Sequence, residues 1–287
     1  MKVAICICTC QRPAGLRRQL KAVAAADKPA GTEIIVVDNG CEETTAEIVF
    51  REVPGARLVF ERLRGICFAR DTAFHAALGL GADLICTVDD DDEVAPDWLT
   101  ELLKTYRQSG ADLILGGLVD EFGRHRPHPR SGSNALQSRR ILERLGAPWI
   151  DPATALVGGS DRYLFEAILA AGGSLARCPA SKVRRYYGAH RMTAYGRFLH
   201  GIKFGYNEAA IPDENLAFLT TEAATAEKSA ARRARKTASA VLRFLARPCE
   251  RQRRAKVLVS LGRLIGLLLR RSNRKFDYYS SQTAERR

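Results

Sequence analysis

Short apolar runs recur along the first 120 residues, and most of them end on a polar or acidic side chain. Val3 to Cys8 is followed by Thr9, Glu33 to Val37 by Asp38-Asn39-Gly40, and Asp83 to Val88 by four aspartates. Arg57 to Phe60 and Leu113 to Val119 are runs of the same kind. Between them lie stretches with helical spacing. One starts at Pro13, a residue suited to the first helical turn, and runs to about Ala26 with Leu16 and Leu20 on one face. A short helix is expected near Thr44 to Phe50, another from Gly65 through Leu80, and another from Pro96 with Trp98, Leu99, Leu102 and Leu103. Strands separated by helices require crossover connections. The pattern therefore predicts an α/β fold, a Rossmann-like, mainly parallel sheet with helices on both faces. Ligands of such sheets collect at the carboxyl ends of the strands, where Thr9, Asp38 and the aspartates fall.

Asp89-Asp90-Asp91-Asp92-Glu93 is the strongest local signal. Five adjacent acidic groups repel one another, and a divalent cation offsets that repulsion. Hard oxygen ligands suit Mg²⁺ or Mn²⁺, which share their coordination with substrate phosphates. The alternative is a solvated acidic loop whose charge favours the dipole of the following helix. Arg70, in the helix after the third strand, carries a guanidinium suited to phosphate or base.

Charge divides the chain. It carries a formal +13, but positions 221–287 hold 18 of the 45 basic residues and 5 of the 32 acidic ones. Positions 1–220 therefore balance at 27 and 27, and a domain boundary is expected there: a catalytic domain over 1–220 and a basic helical C-terminal tail over 221–287. In the tail, Glu222 to Ala246 reads as helix, Pro248 breaks it, and Lys256 to Arg271 reads as a second helix. That second helix has Val257, Leu258, Leu261, Leu264, Ile265, Leu268 and Leu269 on one side. It is too short for a bilayer span, which takes about 20 residues. It suits the interface of an anionic membrane, or else packing on the catalytic domain. At 46% hydrophobic and 27% charged residues, the chain is neither disordered, collagen-like nor multi-span.

Eight cysteines include no C-x-x-C pair. Cys6, Cys8 and Cys10 alternate in an apolar run, and buried reduced thiols of a cytosolic protein account for them better than disulfides or zinc. Met1 and Lys2 run directly into the first strand, which reads as no signal peptide. Arg124 to Ser133 reads as a mobile loop in which His125 and His128 are solvated. Lys182, Arg184, Arg185, His190 and Arg191 suit either a phosphate or a basic surface strip. Trp98 and Trp149 read as packing residues, with Trp149 a further option for an acceptor-side loop.

Five stretches, in order, resemble the signatures of family 2 glycosyltransferases: Ile7-Cys8-Thr9-Cys10-Gln11-Arg12-Pro13, Ile35-Val36-Val37-Asp38-Asn39-Gly40, Gly65-Ile66-Cys67-Phe68-Ala69-Arg70-Asp71, Asp89 to Leu99, and Gly158-Gly159-Ser160-Asp161-Arg162-Tyr163-Leu164-Phe165. The resemblance covers roughly residues 1–205. It departs from the family's habit at Cys10 (often Tyr), Asp71 (commonly Asn) and Ser160 (usually Glu). It implies a GT-A fold, a nucleotide-diphosphate sugar donor, a divalent metal (Mn²⁺ or Mg²⁺) and inversion at the anomeric carbon. By that likeness Thr9, Arg12, Asp38, Arg70, Asp89 and Asp90 bind the substrate, with Asp38 on the base and Asp89 at the ribose or metal shell. Asp91 ligates the metal and Asp161 is the general base. Read from the helix start alone, Asp161 is equally a first-turn acid.

The expectation is an inverting glycosyltransferase that moves a sugar, by family habit from a UDP-sugar, to a hydroxyl of a lipid-linked or cell-surface glycan. It would sit in the cytoplasm, peripheral on the inner face of the membrane through its tail. Two rivals stand. A nucleotidyltransferase would use the same acidic site, but Thr9 to Arg12 holds no glycine-rich phosphate loop. A nucleic-acid-binding module would use the basic tail, but that tail lacks interleaved aromatics before Phe276 and has no reader motif. No nucleic-acid partner is expected.

Overall fold

A computed structural model describes residues 1–126, 132–152, 159–186 and 193–210, together with 258–259, 261–262 and 265–266. It divides into two compact units. The first holds residues 1–155 and 159–187, the second residues 156–158 and 188–287.

The first unit begins β1 (Val3–Thr9), α1 (Pro13–Ala25), β2 (Glu33–Asp38), α2 (Glu43–Glu52), β3 (Arg57–Phe60), α3 (Ile66–Gly79), β4 (Leu84–Asp89). These are the elements the apolar runs predict, each within a few residues. Then come β5 (Asp92–Val94), α4 (Trp98–Ser109), β6 (Leu113–Asp120), β7 (His125–Arg126), β8 (Ala135–Ser138), α5 (Arg139–Leu145), α6 (Ser160–Ala170) and β9 (Leu175–Arg185). Among the described residues the strands form one sheet in the order β3-β2-β1-β4-β8-β6-β9-β5, with β7 paired to β6.

Half of that sheet is parallel as expected. β2 and β4 flank β1 in parallel, and β3 follows β2. Their register sets Thr9 beside Asp38 and Cys8 beside Asp89 on one carboxyl edge. The other half adds antiparallel pairs to that sheet. β8 runs antiparallel to both β4 and β6, and β5 is antiparallel to β9, while β6 and β9 are parallel. Four strands, β5, β7, β8 and β9, were not legible as apolar runs. β5 and β7 have three and two residues. β9 carries Arg177, Lys182, Arg184 and Arg185 with a partly exposed pattern.

Strand alternation sorts the core into two layers. Val3, Ile5, Ile7, Ile34 and Val36 pack with Leu16, Leu20, Ile48, Val49, Trp98 and Leu99 of α1, α2 and α4. Ala4, Cys6, Ile35 and Val37 face the opposite layer with Phe74, Ile141, Leu142, Leu164 and Phe165 of α3, α5 and α6. Successive strand side chains point to opposite faces, so a run apolar at every position is buried on both sides. Cys6, Cys8 and Cys86 belong to this interior as free thiols. Burial pushes Cys8 up to about 12 and raises Cys6 and Cys86, as befits thiols packed among apolar neighbours. Trp98 is fully buried, and Trp149 meets Phe74 edge-on at 5.7 Å while its indole N–H donates to the Leu142 carbonyl at 2.7 Å. Both tryptophans are packing residues.

In the second unit α7 (Ala194–Ala210) meets the helical residues 258–259 and 261–262, where Gly201 lies against the Val259 backbone and Gly262 against that of Phe198. Leu261 and Ile265 remain 37% exposed. The rest of the tail, including the helix expected over 222–246, lies outside the described residues, as do His128, His190, Arg191 and Cys249. Among the described residues no helix is long and apolar enough to cross a membrane.

Candidate active site

The carboxyl edge of β1 and β4 gathers most of the expected residues. Thr9, buried at the end of β1, donates its hydroxyl to Asp90 Oδ2 at 2.9 Å. Arg12, in the turn before α1, reaches Asp90 Oδ1 at 3.0 Å and Asp91 Oδ2 at 3.1 Å. Arg70, on the first turns of α3 and 7% exposed, donates to Asp89 Oδ1 at 3.1 Å and Ser160 Oγ at 3.2 Å, and pairs with Asp161 Oδ1. Asp161 Oδ2 accepts the Gly132 N–H at 2.8 Å. Helix α6 starts after Gly159, whose φ of +90° is a left-handed conformation that suits glycine. No side chain caps that helix. The Asp161 carboxylate thus faces the site and does not close its own helix end.

Asp38 stands apart from this network. Its carboxylate accepts the backbone N–H groups of Gly40 (2.8 Å), Cys41 (3.0 Å) and Glu42 (2.9 Å), which shapes the turn into α2. Three of its roughly four acceptor positions are engaged within the protein. Asn39 ties the same turn to the loop before α3 through Glu61, Leu63 and Gly65. A cleft of about 350 Å³ opens beside it, lined by Gln11, Asn39, Gly40, Cys41, Arg62 and Arg64.

Three further groups join the network, and two of them, Ser133 and Gly132, carry no signal in the sequence. Arg185, at the end of β9, donates to Asp92 Oδ1 and Oδ2 and to Asp89 Oδ2, each at 2.8 Å. In sequence it suits either a phosphate ligand or a surface strip. The surface description fits Lys182 and Arg184, which are exposed, but Arg185 turns inward. Ser133 donates to Asp92 and accepts the Asp89 N–H at 3.1 Å. Gly132 is the third. The mobile loop expected over Arg124 to Ser133 therefore ends in buried residues 132 and 133, because Thr87 Oγ1 donates to the Gly132 carbonyl at 2.5 Å and fixes it. His125 is exposed on β7.

The arginines change the account of the acidic run. Asp92, fully buried, belongs to β5 and is paired internally, so repulsion along the run is already partly offset. Burial pulls Asp89 upward, but Arg185, Arg70 and Arg12 together hold it below the usual carboxylate range. Burial pushes Asp90 up to about 6 against the pull of Arg12, and it also raises Asp92 against Arg185. Burial works against the Arg185 charge too, yet Asp92 and Asp89 hold it well above its ordinary value. Asp89, Asp90, Asp91, Asp92 and Asp161 face Arg12, Arg70 and Arg185, a formal deficit of two positive charges. Asp89, Asp91 and Asp92 present carboxylate oxygens within 4.8 Å of one another. This donor set fits a hard divalent cation.

Several solved structures share this fold, a mannosyltransferase among them. The mannosyltransferase PcManGT of Pyrobaculum calidifontis, in complex with GDP-Man and Mn²⁺, matches over 95% of this chain and 88% of its own, at a TM-score of 0.61 and 16% identity. S. aureus TarS 1-349 in complex with UDP-GlcNAc matches over 96% of this chain and 93% of its own, at 0.53 and 15%. Against a longer TarS structure the match covers 94% of this chain and 54% of that one, at 0.57 and 13%. In sequence, residues 4–169, more than half of the chain, match the model of glycosyl transferase family 2, and the chain belongs to that family. The succinoglycan biosynthesis protein ExoM of Rhizobium meliloti (strain 1021) is 28% identical over 296 residues, 84% of this chain and 90% of that protein.

Proposed function

We propose that this glycosyltransferase moves a sugar, with inversion, from a nucleotide-diphosphate sugar to a hydroxyl of a lipid-linked or cell-surface glycan. The observation that carries the reading is the acidic group at the end of β4, short of two positive charges and joined through Arg70 to Asp161. Thr9, Arg12, Asp38, Asp89 and Asp90 line the donor side. Asp91, whose side chain among the described residues accepts from Arg12, would hold Mn²⁺ or Mg²⁺ together with Asp89. The cation, when bound, stabilises the charge that gathers on the departing diphosphate. Asp161 takes the proton of the attacking hydroxyl, and one carboxylate on the face opposite the leaving group suffices for inversion. UDP is the proposed nucleotide. The structural neighbours, solved with UDP-GlcNAc in one case and GDP-Man in the other, make a panel of both classes the right test. The polysaccharide named for the relative ExoM supports a glycan acceptor. The basic tail supports a peripheral position on the inner membrane face.

The test is a thermal-shift panel of UDP-, GDP- and dTDP-sugars with Mn²⁺, since a ligand that binds the native state raises the melting temperature. One sugar class is expected to raise it, and Asp91→Asn to remove the metal-dependent part. No shift with any donor, or an unchanged shift in Asp91→Asn, overturns the assignment. Sedimentation with anionic vesicles tests the tail, and binding to DNA alone would overturn the membrane reading.

A further inference from the structure

We propose that the groove between α1 and β5 is a phosphate-binding site, distinct from the donor site. The inference does not depend on the reading of the acidic edge. The groove measures about 480 Å³ and is lined by Ala14, Arg17, Arg18, Lys21 and Ala22 of α1 and by Glu93 of β5. Leu16 and Leu20 turn into the core, which leaves the arginines and Lys21 on the outer side of the helix. Arg17 and Lys21 are four residues apart and Arg18 and Lys21 three, so their charges are neighbours on the helix surface and repel one another. Successive side chains of a strand point to opposite faces. Asp92 turns inward onto Arg185, and Glu93 therefore faces away from the acidic site.

Arg18 gives the groove a fixed donor. Its guanidinium lies over the Tyr186 ring, 3.9 Å from the centroid. Tyr186 is held in turn. Its N–H donates to the Asp91 carbonyl at 3.0 Å, its hydroxyl donates to Glu93 Oε2 at 2.7 Å, and Arg184 bonds to it from the exposed side of β9. Stacking holds the guanidinium plane and leaves its edge, where the N–H groups lie, for an acceptor. The Arg18 Nε is buried and has no hydrogen-bond partner among the described residues. A buried donor without an acceptor is costly, and an oxyanion in the groove supplies one. Lys21 is exposed, and Arg17 meets Glu52 at 3.7 Å. Around the groove four cations, Arg17, Arg18, Lys21 and Arg184, face two carboxylates, Glu52 and Glu93, a surplus of two positive charges. A phosphate monoester carries about −1.5 to −2 at neutral pH, and a guanidinium edge matches its oxygens. A carboxylate ligand would offset only half of that surplus. The phosphate is either free or the headgroup of a lipid.

The test compares the full-length chain with Arg18→Gln, with Arg17→Glu/Lys21→Glu, and with Lys104→Glu/Arg107→Glu, which makes the same charge change on the exposed face of α4. Two probes are used without metal or nucleotide. Inorganic phosphate is titrated by calorimetry at low salt, and phosphatidylcholine vesicles with or without phosphatidic acid are cosedimented. UDP and GDP binding with Mn²⁺ is measured separately. Both groove variants are expected to bind phosphate about tenfold more weakly or worse. The α4 control should bind it within about twofold of wild type, and nucleotide binding should stay within about twofold in every variant. Arg17 and Lys21 are exposed, so the double variant carries the test if Arg18→Gln loses cooperative melting. A loss of cosedimentation with phosphatidic acid, relative to the α4 control, supports the site with a lipid headgroup as its source. Weaker phosphate binding with cosedimentation equal to the control supports it with a free phosphate compound. No phosphate binding by wild type, binding unchanged in the double variant, or an equal loss in the α4 control overturns the proposal. A parallel loss of nucleotide binding would make the groove part of the donor site and also overturn it.

Discussion

The two halves of the sheet supply the site by different routes. In the parallel half, Thr9, Asp38 and Asp89 each end their own strand, and register alone aligns them. In the mixed half, Arg185 meets Asp92 across a sequence separation of 93 residues, and Ser133 meets it across 41. The parallel half satisfies its polar groups locally, with Asp38, fully buried, held by the backbone N–H groups of its own turn. The mixed half encloses its charges, with Asp92 fully buried and the Arg185 side chain 13% exposed. The difference teaches that the first half offers ligand-binding groups while the second holds them in place. A buried charge stripped of its counter-charge costs more than backbone donors freed beside water.

Substitutions in each half test that contrast. Arg185→Met should have the largest effect, because it strands Asp92 without its counter-charge. Urea unfolding is expected to show a loss of about 3–5 kcal/mol. A loss under about 1 kcal/mol would mean that Asp92 folds protonated, and would erase the contrast. Asp38→Ala removes three backbone hydrogen bonds at the parallel edge. It should cost about 2–3 kcal/mol, less than Arg185→Met because the freed N–H groups of Gly40, Cys41 and Glu42 lie near water. An equal cost in both variants would place the two halves on the same footing.

Gly132→Ala should come next in stability, at the low end of the roughly 1–3 kcal/mol for overpacking. Its kcat should fall much further than its melting temperature, since a methyl there would lie 2.5 Å from Asp161 Oδ1. Unchanged kcat would show that Asp161 need not be held by Gly132. Asp112→Asn is expected to be mildest, about 1 kcal/mol at neutral pH. Asp112 sits at the start of β6 and holds Arg140, Ser138 and Ser174. Burial alone would raise its carboxyl, but those partners hold it below the usual range. Such a group adds stability that is present above its unfolded value, near 4, and lost as pH falls through the lower folded value. The gap between wild type and Asp112→Asn should therefore shrink from about pH 5 downward. A gap independent of pH would remove the carboxylate from the account of the mixed half.

The parallel half was legible because its information is local. Val3 to Cys8 is apolar at every position, and Pro13 marks the helix that follows. The mixed half was not. β8 is the four-residue Ala135–Ser138, β5 is three residues of an acidic run, and β9 mixes arginines with Pro179. None shows a period that distinguishes strand from loop. The same limit governed the site. Thr9, Arg12, Arg70, the aspartates and Asp161 were named because they sit on strand ends or in motifs. Arg185, Ser133 and Gly132 follow no motif, and only Arg185 was raised at all, as one of two options.

By itself the sequence determined the alternation of strands and helices, the two-sided burial of the first strands, the acidic edge at Asp89 to Asp92 and the family. These depend on neighbours within a few residues, where side-chain period and chemistry coincide. Only the tertiary structure decided what those acids face. Pairing of β5 with β9 turns Arg185 onto Asp92 and Asp89, and the close of the loop at Gly132 clamps Asp161 beside Arg70. Contacts between residues this far apart in the chain depend on how the whole sheet closes, and no local pattern encodes them.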